Sequence, residues 1–243
     1  MNLERYKRQI LVKEIGKPGQ EILSKKHVVV IGGGGLGSNS ANFLVRTGIK
    51  SIDIVDYDKV DLSNLHRTTI FTEDDVGKLK AAVLEERLRQ INPEVVVRGV
   101  EKKVTKQNIE SLVNHADIIL DGTDNLETRF LINDVAVKHN IPWVYAGVFS
   151  TIGMVMCVIP KRTPCFKCVS PVLPSPPVGN TPVLGILPGL IAAVQCTEAI
   201  KILLEKPCSG LLIYDTWRQC FDQLAVQRNP ACSCCAKGVF EFL

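Results

Sequence analysis

The sequence predicts an α/β fold in which a mostly parallel sheet is flanked by helices and extended by later antiparallel strands. Apolar strand-like runs alternate with helical patterns through the first half of the 243 residues, an order typical of parallel sheets. A glycine cluster lies between one such strand and the following helix, where these folds make a tight turn. The second half is rich in β-branched and aromatic segments, which favour further strands.

The first half shows this alternation in order. After an amphipathic opening at 3–12, residues 27–31 form a buried-strand pattern, and 51–55 form a second one that ends at Asp56. Residues 78–90 carry apolar side chains at helical spacing. The patterns predict strands at 27–31, 51–55, 95–97 and 117–120, and helices at 38–46, 78–90, 106–114 and 128–138.

The second half contains a proline-rich segment at 169–182. Proline fixes φ and lacks a backbone N–H, so this segment is predicted to be a surface loop. Two strands are expected within 143–159, a helix at about 190–204, and late strands at 211–214 and 221–227. With no internal repeat and no long linker, residues 1–243 are predicted to form a single domain. The prolines of the loop are Pro171, Pro174, Pro176, Pro177 and Pro182.

Composition and charge exclude several classes of protein. With 46% hydrophobic and 22% charged residues, the chain does not have the composition of a disordered protein. A net charge of +4 is too balanced for a dedicated nucleic-acid coat, so nucleic acid is not an expected partner. Residues 1–10 lack the apolar core of a signal peptide, and the apolar stretch 183–196 is shorter than the ~20 residues of a membrane helix. A cytoplasmic location without membrane association is therefore expected.

The glycine cluster has the spacing of a nucleotide-binding turn. Gly32, Gly34 and Gly37 fit the pattern G-x-G-x-x-G between a strand and a helix, so the fold is predicted to be Rossmann-like. Such a turn lets a phosphate approach the free N–H groups at the start of the helix. Asp56, at the end of the next strand, is placed to accept ribose hydroxyls. Glycines also serve tight turns alone, but the complete order of elements favours a bound nucleotide.

Further charged residues favour a triphosphate over a dinucleotide. Arg67 and Lys80 follow the second strand, and the segment Asp121-Gly-Thr-Asp-Asn125, with two carboxylates, comes just after the strand at 117–120. Since ligands of open α/β sheets bind at the strand ends, two cations and a carboxylate are expected in one crevice. Arginine and lysine neutralise phosphates, and a carboxylate holds Mg²⁺. Either cation alone also fits a solvated surface charge.

Two pairs of cysteines have the spacing of a metal site. Cys165 and Cys168 form one C-x-x-C pair, and Cys232 and Cys235 form the other. In a chain without an export signal, two such pairs favour a four-thiolate Zn²⁺ site. A redox dithiol is the alternative for one pair, and Cys234 is an extra sulfur in the second.

Several motifs in the same order resemble one enzyme family. They are similar to the MoeB/ThiF (HesA/MoeB/ThiF) adenylyltransferases of the ubiquitin-activating E1-like superfamily, and they extend over nearly the whole chain. The motifs are Arg5-Tyr-x-Arg-Gln-Ile10, Gly32-x-Gly-Gly-Leu-Gly37, Asp56-Tyr-Asp58, Ser63-Asn-Leu-x-Arg67, Val76-Gly-x-x-Lys80, Asp121-x-Thr-Asp-Asn125 and Gln195-x-x-Glu-Ala-Ile-Lys201.

The resemblance implies ATP-dependent adenylation of a protein carboxylate. Its substrate would be the C-terminal glycine of a ubiquitin-like sulfur carrier of the MoaD/ThiS type that ends in Gly-Gly. The products would be an acyl-adenylate and pyrophosphate. The resemblance divides the domain into a nucleotide-binding half, 1–140, and a carrier-binding and zinc half, 141–243. It also implies a structural zinc at the cysteine pairs and a homodimer.

The resemblance also assigns roles to particular residues. Arg67 and Lys80 would bind the phosphates of ATP, Asp124 would hold Mg²⁺, and Arg8 would reach the triphosphate in the partner subunit. Asp56 would bind the ribose. The glycines of the turn, Ser63, Asn64 and Asn125 would complete the pocket, the glycines being Gly32, Gly34, Gly35 and Gly37.

Two residues and one loop depart from the family pattern, and two other functions are also considered. His66 and Thr68 stand where relatives more often have amides, and neither is expected to be catalytic. No cysteine lies in 169–185, where thioester-forming or persulfide-forming members have one, so adenylation alone is expected. One alternative is an NAD-dependent oxidoreductase on the same glycine turn, and another is a non-catalytic E1-like module that binds a protein tail.

Overall fold

The computed structural model describes residues 2–173 and 182–243. Within these ranges the chain forms one eight-stranded sheet with α-helices on both faces. The strands are β1 His27–Ile31, β2 Ser51–Val55, β3 Val96–Val100, β4 Ile118–Asp121, β5 Trp143–Phe149, β6 Ile152–Val158, β7 Leu211–Asp215 and β8 Cys220–Leu224. The helices are α1 Gly16–Leu23, α2 Gly35–Thr47, α3 Lys80–Ile91, α4 Ile109–Val113, α5 Leu126–His139, α6 Phe166–Val169 and α7 Leu187–Leu203.

The sheet changes from parallel to antiparallel part-way across. Its strand order is β3-β2-β1-β4-β5-β6-β7-β8. Strands β1 to β5 pair in parallel, and β6, β7 and β8 are antiparallel to their neighbours. Parallel neighbours require crossover connections, whereas antiparallel neighbours need only short turns. The predicted fold class, a mostly parallel sheet with later antiparallel strands, is therefore confirmed.

Alternate side chains of the central strand enter two separate cores. Val28 and Val30 of β1 pack in the core on the side of α2, α3 and α7. Val29 and Ile31 pack on the opposite side with α5, α6 and the end of the chain. Because side chains alternate along a strand, a strand buried on both faces is continuously apolar, as this one is.

A buried glutamine ties the late helix to the nucleotide-binding half. Gln195 of α7 donates its side-chain amide to the carbonyls of Asp121, at 2.8 Å, and Val144, at 2.9 Å. Its side-chain oxygen accepts a hydrogen bond from the Ser40 hydroxyl of α2 at 2.7 Å. Buried polar groups are retained when they are hydrogen-bonded, and these three bonds join α7 to β4, β5 and α2.

The structure corrects several predicted elements. The opening at 3–12 consists of short 3₁₀ turns, followed by α1, a helix that the prediction missed because Gly16, Pro18 and Gly19 are poor helix formers. The predicted helix at 106–114 is reduced to α4. The late helix starts at Leu187, since Pro188 falls in its first turn, where a missing N–H costs no hydrogen bond.

Part of the predicted proline loop is also different. Pro171 lies in a short 3₁₀ helix, Ser170–Val172, and the Pro182 carbonyl accepts a hydrogen bond from Ser150 N at 2.7 Å. Pro174, Pro176 and Pro177 lie outside the described residues. At the other end of the chain, β8 stops at Leu224, three residues before the predicted limit. Of the helices described, none combines the length and apolar character needed to cross a membrane.

Candidate active site

Two loops at the carboxyl ends of neighbouring strands touch through glycines. Gly32 has φ +93°, a conformation that favours glycine. A Cβ on Gly37 would overlap the Gly32 carbonyl oxygen, and a Cβ on Gly122 would overlap the same oxygen. The loop after β1 and the loop after β4 are therefore in backbone contact. This contact brings residues 121–125 to the N-terminus of α2.

Asp56 closes the glycine turn from the side of β2. Its carboxylate is buried and accepts hydrogen bonds from Gly33 N at 2.6 Å and Asp58 N at 2.7 Å. Burial raises the pKa of Asp56, and the hydrogen bond from Gly33 and the charge of Lys80 oppose that rise. The side chain is fixed by the turn, and its oxygens retain acceptor capacity toward a sugar hydroxyl.

A capped 3₁₀ helix, Leu62–Arg67, presents Arg67. Asp61 accepts a hydrogen bond from Ser63 N at 2.8 Å, and Asn64 Oδ1 accepts one from Asp61 N at 3.2 Å. Arg67 Nη1 donates to the Ser63 carbonyl at 2.6 Å. Here Ser63 and Asn64 shape the turn. The aliphatic part of Arg67 lies against Gly35, where an added Cβ would be 3.3 Å from its Cγ and Cδ.

Lys80 lies at the start of α3 and is 8% exposed. Its Nζ is 3.3 Å from Asp58 Oδ2. Hydrogen bonds from Ser63 lower the pKa of Asp61, and the charges of Lys80 and Arg67 lower it further. Both predicted phosphate ligands therefore act on the same carboxylate.

Asp124 is held by its backbone rather than by its side chain. It is exposed, and within residues 2–173 and 182–243 its carboxylate makes no hydrogen bond or ion pair. Asn125 is the N-cap of α5, since its Oδ1 accepts from Thr128 N at 2.9 Å. The amide predicted to line the pocket thus caps the helix. Asp124 is left as a free carboxylate beside the glycine turn.

Arg8, predicted to serve the nucleotide site, lies away from the glycine turn of its own subunit. It is exposed, and the adjacent Gln9 donates to the carbonyl of Thr47 at 3.0 Å. Thr47 ends α2, whereas Gly35 begins it, and a helix of this length spans about 18 Å. Arg8 therefore lies beside the far end of α2 from its own glycine turn.

Two charged residues near the site were missed by sequence reasoning. Asp58 pairs with Lys80, and its place two residues after Asp56 was a signal for it. Arg129 is buried below the loop that carries Asp124, and a charged residue in the first turn of the predicted helix at 128–138, five residues after Asp124, was the signal. His66, expected to be non-catalytic, has Nδ1 2.8 Å from the Ser63 carbonyl oxygen.

Four cysteine sulfurs converge at the end of the chain. The Sγ atoms of Cys165, Cys168, Cys232 and Cys235 lie within 4.8 Å of one another. The contacts are 3.8 Å between Cys165 and Cys168, 3.6 Å between Cys165 and Cys232, and 3.5 Å between Cys168 and Cys235. A tetrahedral site with Zn–S bonds of about 2.3 Å has edges of about 3.8 Å. The donor set therefore fits a four-coordinate metal ion.

The extra sulfur of Cys234 points to a different partner. Asn133 Nδ2 of α5 donates to Cys234 Sγ at 3.2 Å, and Asn133 Oδ1 accepts from Phe166 N at 2.8 Å. One asparagine thus holds both cysteine-bearing segments on α5. Arg228 Nε lies 3.5 Å from Cys235 Sγ. At this distance its positive charge would offset the negative charge of a thiolate.

Comparison with known proteins identifies the family. The sequence profile of the ThiF family matches residues 6–234. This chain belongs to the ThiF family. The resemblance seen in the motifs is thereby confirmed. The ThiF match covers the glycine turn, Asp56, Arg67, Lys80, Asp124 and three of the four clustered cysteines, and it ends one residue before Cys235.

Relatives of this ThiF-family chain are adenylyltransferases and an E1 enzyme. It is 41% identical over 249 residues to the sulfur carrier protein ThiS adenylyltransferase of Bacillus subtilis, covering 98% of this chain and 73% of that one. It is 37% identical to the SAMP-activating enzyme E1 of Haloferax volcanii, covering 97% and 90%. The Escherichia coli ThiS adenylyltransferase is 34% identical, covering 95% and 94%.

Solved structures support the fold of the ThiF-family chain. Escherichia coli MccB, crystallised with ATP, superposes with a TM-score of 0.84 at 24% identity, covering 96% of this chain and 75% of that chain. Selenomethionine PaaA superposes with a TM-score of 0.77 at 21% identity, covering 91% and 82%. At these identities the likeness establishes the shared fold.

Proposed function

We propose that this protein uses ATP to adenylate the C-terminal carboxylate of a ubiquitin-like sulfur-carrier protein that ends in Gly-Gly. The observations that carry the proposal are that Arg67 packs on Gly35 of the glycine turn, that Lys80 pairs with Asp58 just after Asp56, and that Asp124 follows Gly122, which contacts Gly32. The adenylyltransferase names of the relatives support the same reaction.

The carboxylate of the carrier is the nucleophile. One of its oxygens attacks the α-phosphorus of ATP, the new P–O bond makes an acyl-adenylate, and the bond to the β-phosphate oxygen breaks. The electron pair of that bond leaves on pyrophosphate. Because an α-carboxyl group has a pKa near 3.5, it is already ionised and needs no general base. The protein supplies alignment and positive charge, which Arg67 and Lys80 provide.

The remaining residues hold the nucleotide. No atom within 4 Å would meet a Cβ at Gly34, so space for a phosphate lies before the N-terminus of α2. Asp56 accepts the ribose hydroxyls, while Gly35 and Asn125 border the pocket. Asp124 is free to hold Mg²⁺, whose charge shields the phosphates when it is bound. Lys80 exchanges Asp58 for a phosphate when ATP enters.

The carrier protein docks on the outer antiparallel strands. The edge strand β8 is exposed along its whole length, and apolar side chains stand along it and at the turn before it. Trp217 is 78% exposed, and Phe221 and Leu224 are also exposed. An exposed apolar edge needs a partner that covers it. This surface supports the assignment of 141–243 as the carrier-binding half.

The enzyme acts as a homodimer in which Arg8 serves the site of the partner subunit. Arg8 lies about one helix length from its own glycine turn, so its guanidinium is available to a second copy. An apolar stripe on α7 supplies a surface for self-association. Its exposed residues recur at helical spacing and are Ile186, which precedes the helix, and Leu190, Ala193 and the polar Thr197 within it.

Zinc at Cys165, Cys168, Cys232 and Cys235 has a structural role. Four sulfur ligands leave no open position for water or substrate, and metal binding then contributes to folding. The site joins α6 to the C-terminal segment across α5. It is separate from the glycine turn, so the metal takes no part in phosphoryl chemistry.

The two alternative functions explain fewer of these features. A hydride-transferring oxidoreductase would use the glycine turn and Asp56 but has no need of Arg67, Lys80 and Asp124 together. A non-catalytic module would not need to retain these three charges. Binding of NAD(H) without ATP–pyrophosphate exchange would favour the oxidoreductase.

ATP–pyrophosphate exchange with ubiquitin-like proteins ending in Gly-Gly tests the proposal. Exchange should require Mg²⁺ and the final glycine of the carrier. Asp124→Asn should abolish exchange and leave the thermal unfolding midpoint unchanged, since the carboxylate makes no hydrogen bond or ion pair with the described residues. Glu127→Gln, at an exposed carboxylate in the first turn of α5, is the matched control and should remain active. Full activity of Asp124→Asn would remove the assigned role.

A further inference from the structure

A buried ion pair lies directly beneath the loop that carries Asp124. Asp121 ends β4 and is 0% exposed, and Arg129 of α5 is 7% exposed. Arg129 Nε donates to Asp121 Oδ2 at 2.9 Å. Charges this deep are costly unless they are paired and their other polar atoms are also hydrogen-bonded. The surroundings of this pair meet that condition.

The other atoms of the pair enclose Thr123. Asp121 Oδ1 accepts hydrogen bonds from Thr123 N at 2.8 Å and Thr123 Oγ1 at 2.6 Å. Arg129 Nη2 donates to the Thr123 carbonyl at 2.8 Å and to the Ala146 carbonyl of β5 at 3.1 Å. The backbone N–H, hydroxyl and carbonyl of Thr123 are thus all bonded to one ion pair. The peptide that leads into Asp124 is consequently fixed.

Arg129 is further held by an aromatic ring and by charge. Its guanidinium carbon lies 5.0 Å from the centroid of the Tyr145 ring, within the range of a cation–π interaction. Burial lowers the pKa of Arg129, and the nearby carboxylates of Asp121 and Asp124 outweigh it, so the net shift is upward. Arg129 therefore carries a fixed positive charge, which attracts the carboxylate of Asp124.

The residue after Asp124 is fixed independently. Asn125 caps α5 through its hydrogen bond from Thr128 N. Asp124 therefore stands between two anchored neighbours, Thr123 on the ion pair and Asn125 on the helix. The backbone on both sides of Asp124 is fixed, so its carboxylate is oriented without hydrogen bonds to its own oxygens. Both oxygens then stay available to a cation.

We propose that Arg129 is a positioning residue of the adenylation site, which holds Asp124 through Thr123 at the place where it shares Mg²⁺ with the phosphates of ATP. The inference rests on the proposed function for the identity of the ligands. It differs from a purely structural role because it links a buried guanidinium to the dependence of ATP binding on Mg²⁺. Residues that orient a metal ligand affect metal affinity about 10- to 100-fold when changed.

Arg129→Lys separates positioning from charge. A lysine keeps the positive charge beside Asp121, but a single ammonium group cannot reproduce the planar fork that reaches both the Thr123 and Ala146 carbonyls. Isothermal titration calorimetry would measure binding of a non-hydrolysable ATP analogue across a Mg²⁺ series, without any carrier protein. We expect the variant to need about ten-fold more Mg²⁺ for half-maximal binding, with wild-type affinity recovered at saturating Mg²⁺.

Arg87→Lys is the matched control. Arg87 of α3 pairs at 2.9 Å with Asp75 in the turn before that helix, and this carboxylate is also buried, but neither residue is bonded to the loop at 121–125 among the described residues. This variant should lose thermal stability and keep the wild-type Mg²⁺ dependence. If Arg129→Lys loses stability in the same way with no change in Mg²⁺ dependence, the ion pair only stabilises the core and the inference is wrong. The inference would also be wrong if the wild-type protein bound the ATP analogue with an affinity that did not depend on Mg²⁺.

The same series distinguishes this inference from the proposed function. Mg²⁺-dependent ATP binding that shifts in Arg129→Lys, together with no exchange for any carrier, would retain the positioning role and reject the carrier reaction. A wild-type protein that does not bind the analogue at all would reject both.

Discussion

Gly34 and Gly37 are three residues apart in the glycine turn, yet a methyl group would meet different surroundings at the two positions. At Gly37 it would overlap the Gly32 carbonyl oxygen, which belongs to rigid backbone. At Gly34 nothing lies within 4 Å, and the backbone is in the extended region that any residue adopts. One glycine serves packing, and the other borders the space assigned to phosphate.

Gly37→Ala and Gly34→Ala should therefore have opposite signatures. Gly37→Ala should lower the free energy of unfolding by about 3 kcal/mol, because its methyl group would push the start of α2 away from the Gly32 carbonyl. Gly34→Ala should change it by less than about 1 kcal/mol but weaken ATP binding, since the methyl group would occupy the phosphate space. Chemical denaturation and calorimetric ATP titration measure the two effects. Unaltered ATP affinity in Gly34→Ala would contradict the assigned phosphate position.

At the scale of single residues, spacing predicted which groups face the crevice but not what holds them. The motifs placed Arg67 and Lys80 at the strand ends, and the structure places Arg67 against Gly35 and Lys80 beside Asp58. The pairing of Lys80 with Asp58 depends on an antiparallel β-bridge between Lys59 and Leu79. Residue spacing does not reveal such a bridge. Ser63 and Asn64 were predicted to contact the nucleotide, whereas their observed bonds are local caps. Their direct contact with nucleotide stays a prediction.

Helix α5 connects the two ends of the molecule. Its first turn follows Asp124, and its middle holds the cysteine segments through Asn133. Phe130 of the same helix stacks on Phe242 near the C-terminus with centroids 4.7 Å apart. The cysteine cluster therefore fastens the chain end to the helix that leaves the nucleotide loop.

Removal of one cluster sulfur should weaken this fastening. Cys165→Ala should lose bound zinc and lower the thermal unfolding midpoint by several degrees, because metal binding contributes to folding. Metal analysis and differential scanning calorimetry are the measurements. Cys220→Ala, at an exposed cysteine outside the cluster, should change neither quantity. Normal zinc content and stability in Cys165→Ala would show that the ligand assignment is wrong.

At the scale of elements, the strands were more predictable than the helices. Apolar β-branched runs identified β1, β2 and β4 within a residue or two, because a strand buried on both faces has few polar positions. Helix α1 escaped prediction, since its two glycines and a proline oppose helix formation and tertiary packing overrides that preference. The order of the strands within the sheet also depends on long-range pairing that no local pattern contains.

For the whole molecule, the position of Arg8 makes the dimer a testable requirement. If Arg8 completes the site of the partner subunit, Arg8→Ala and Lys80→Ala should each be inactive alone. Mixing the two should restore about a quarter of wild-type exchange, because half of the dimers are mixed and each has one intact site. Exchange assays after co-refolding or subunit exchange would detect it, with Lys7→Ala as an active control.

No recovery on mixing, with mixed dimers demonstrated by mass spectrometry, would place Arg8 outside the partner's site.

The family, the fold and the adenylyltransferase relationship could all be predicted from the sequence, because they rest on ordered motifs over nearly the full chain. The cytoplasmic location and the dimer stay predictions. Neither is tested by the described residues of a single subunit.

The outer strand β8 has a consequence for work with the purified protein. Its free backbone groups and the neighbouring apolar side chains can pair with the same strand of another molecule. Concentrated preparations are therefore expected to form soluble clusters or precipitate through this edge. Co-expression with a cognate binding protein would improve recovery, because the edge would be capped as the chain leaves the ribosome.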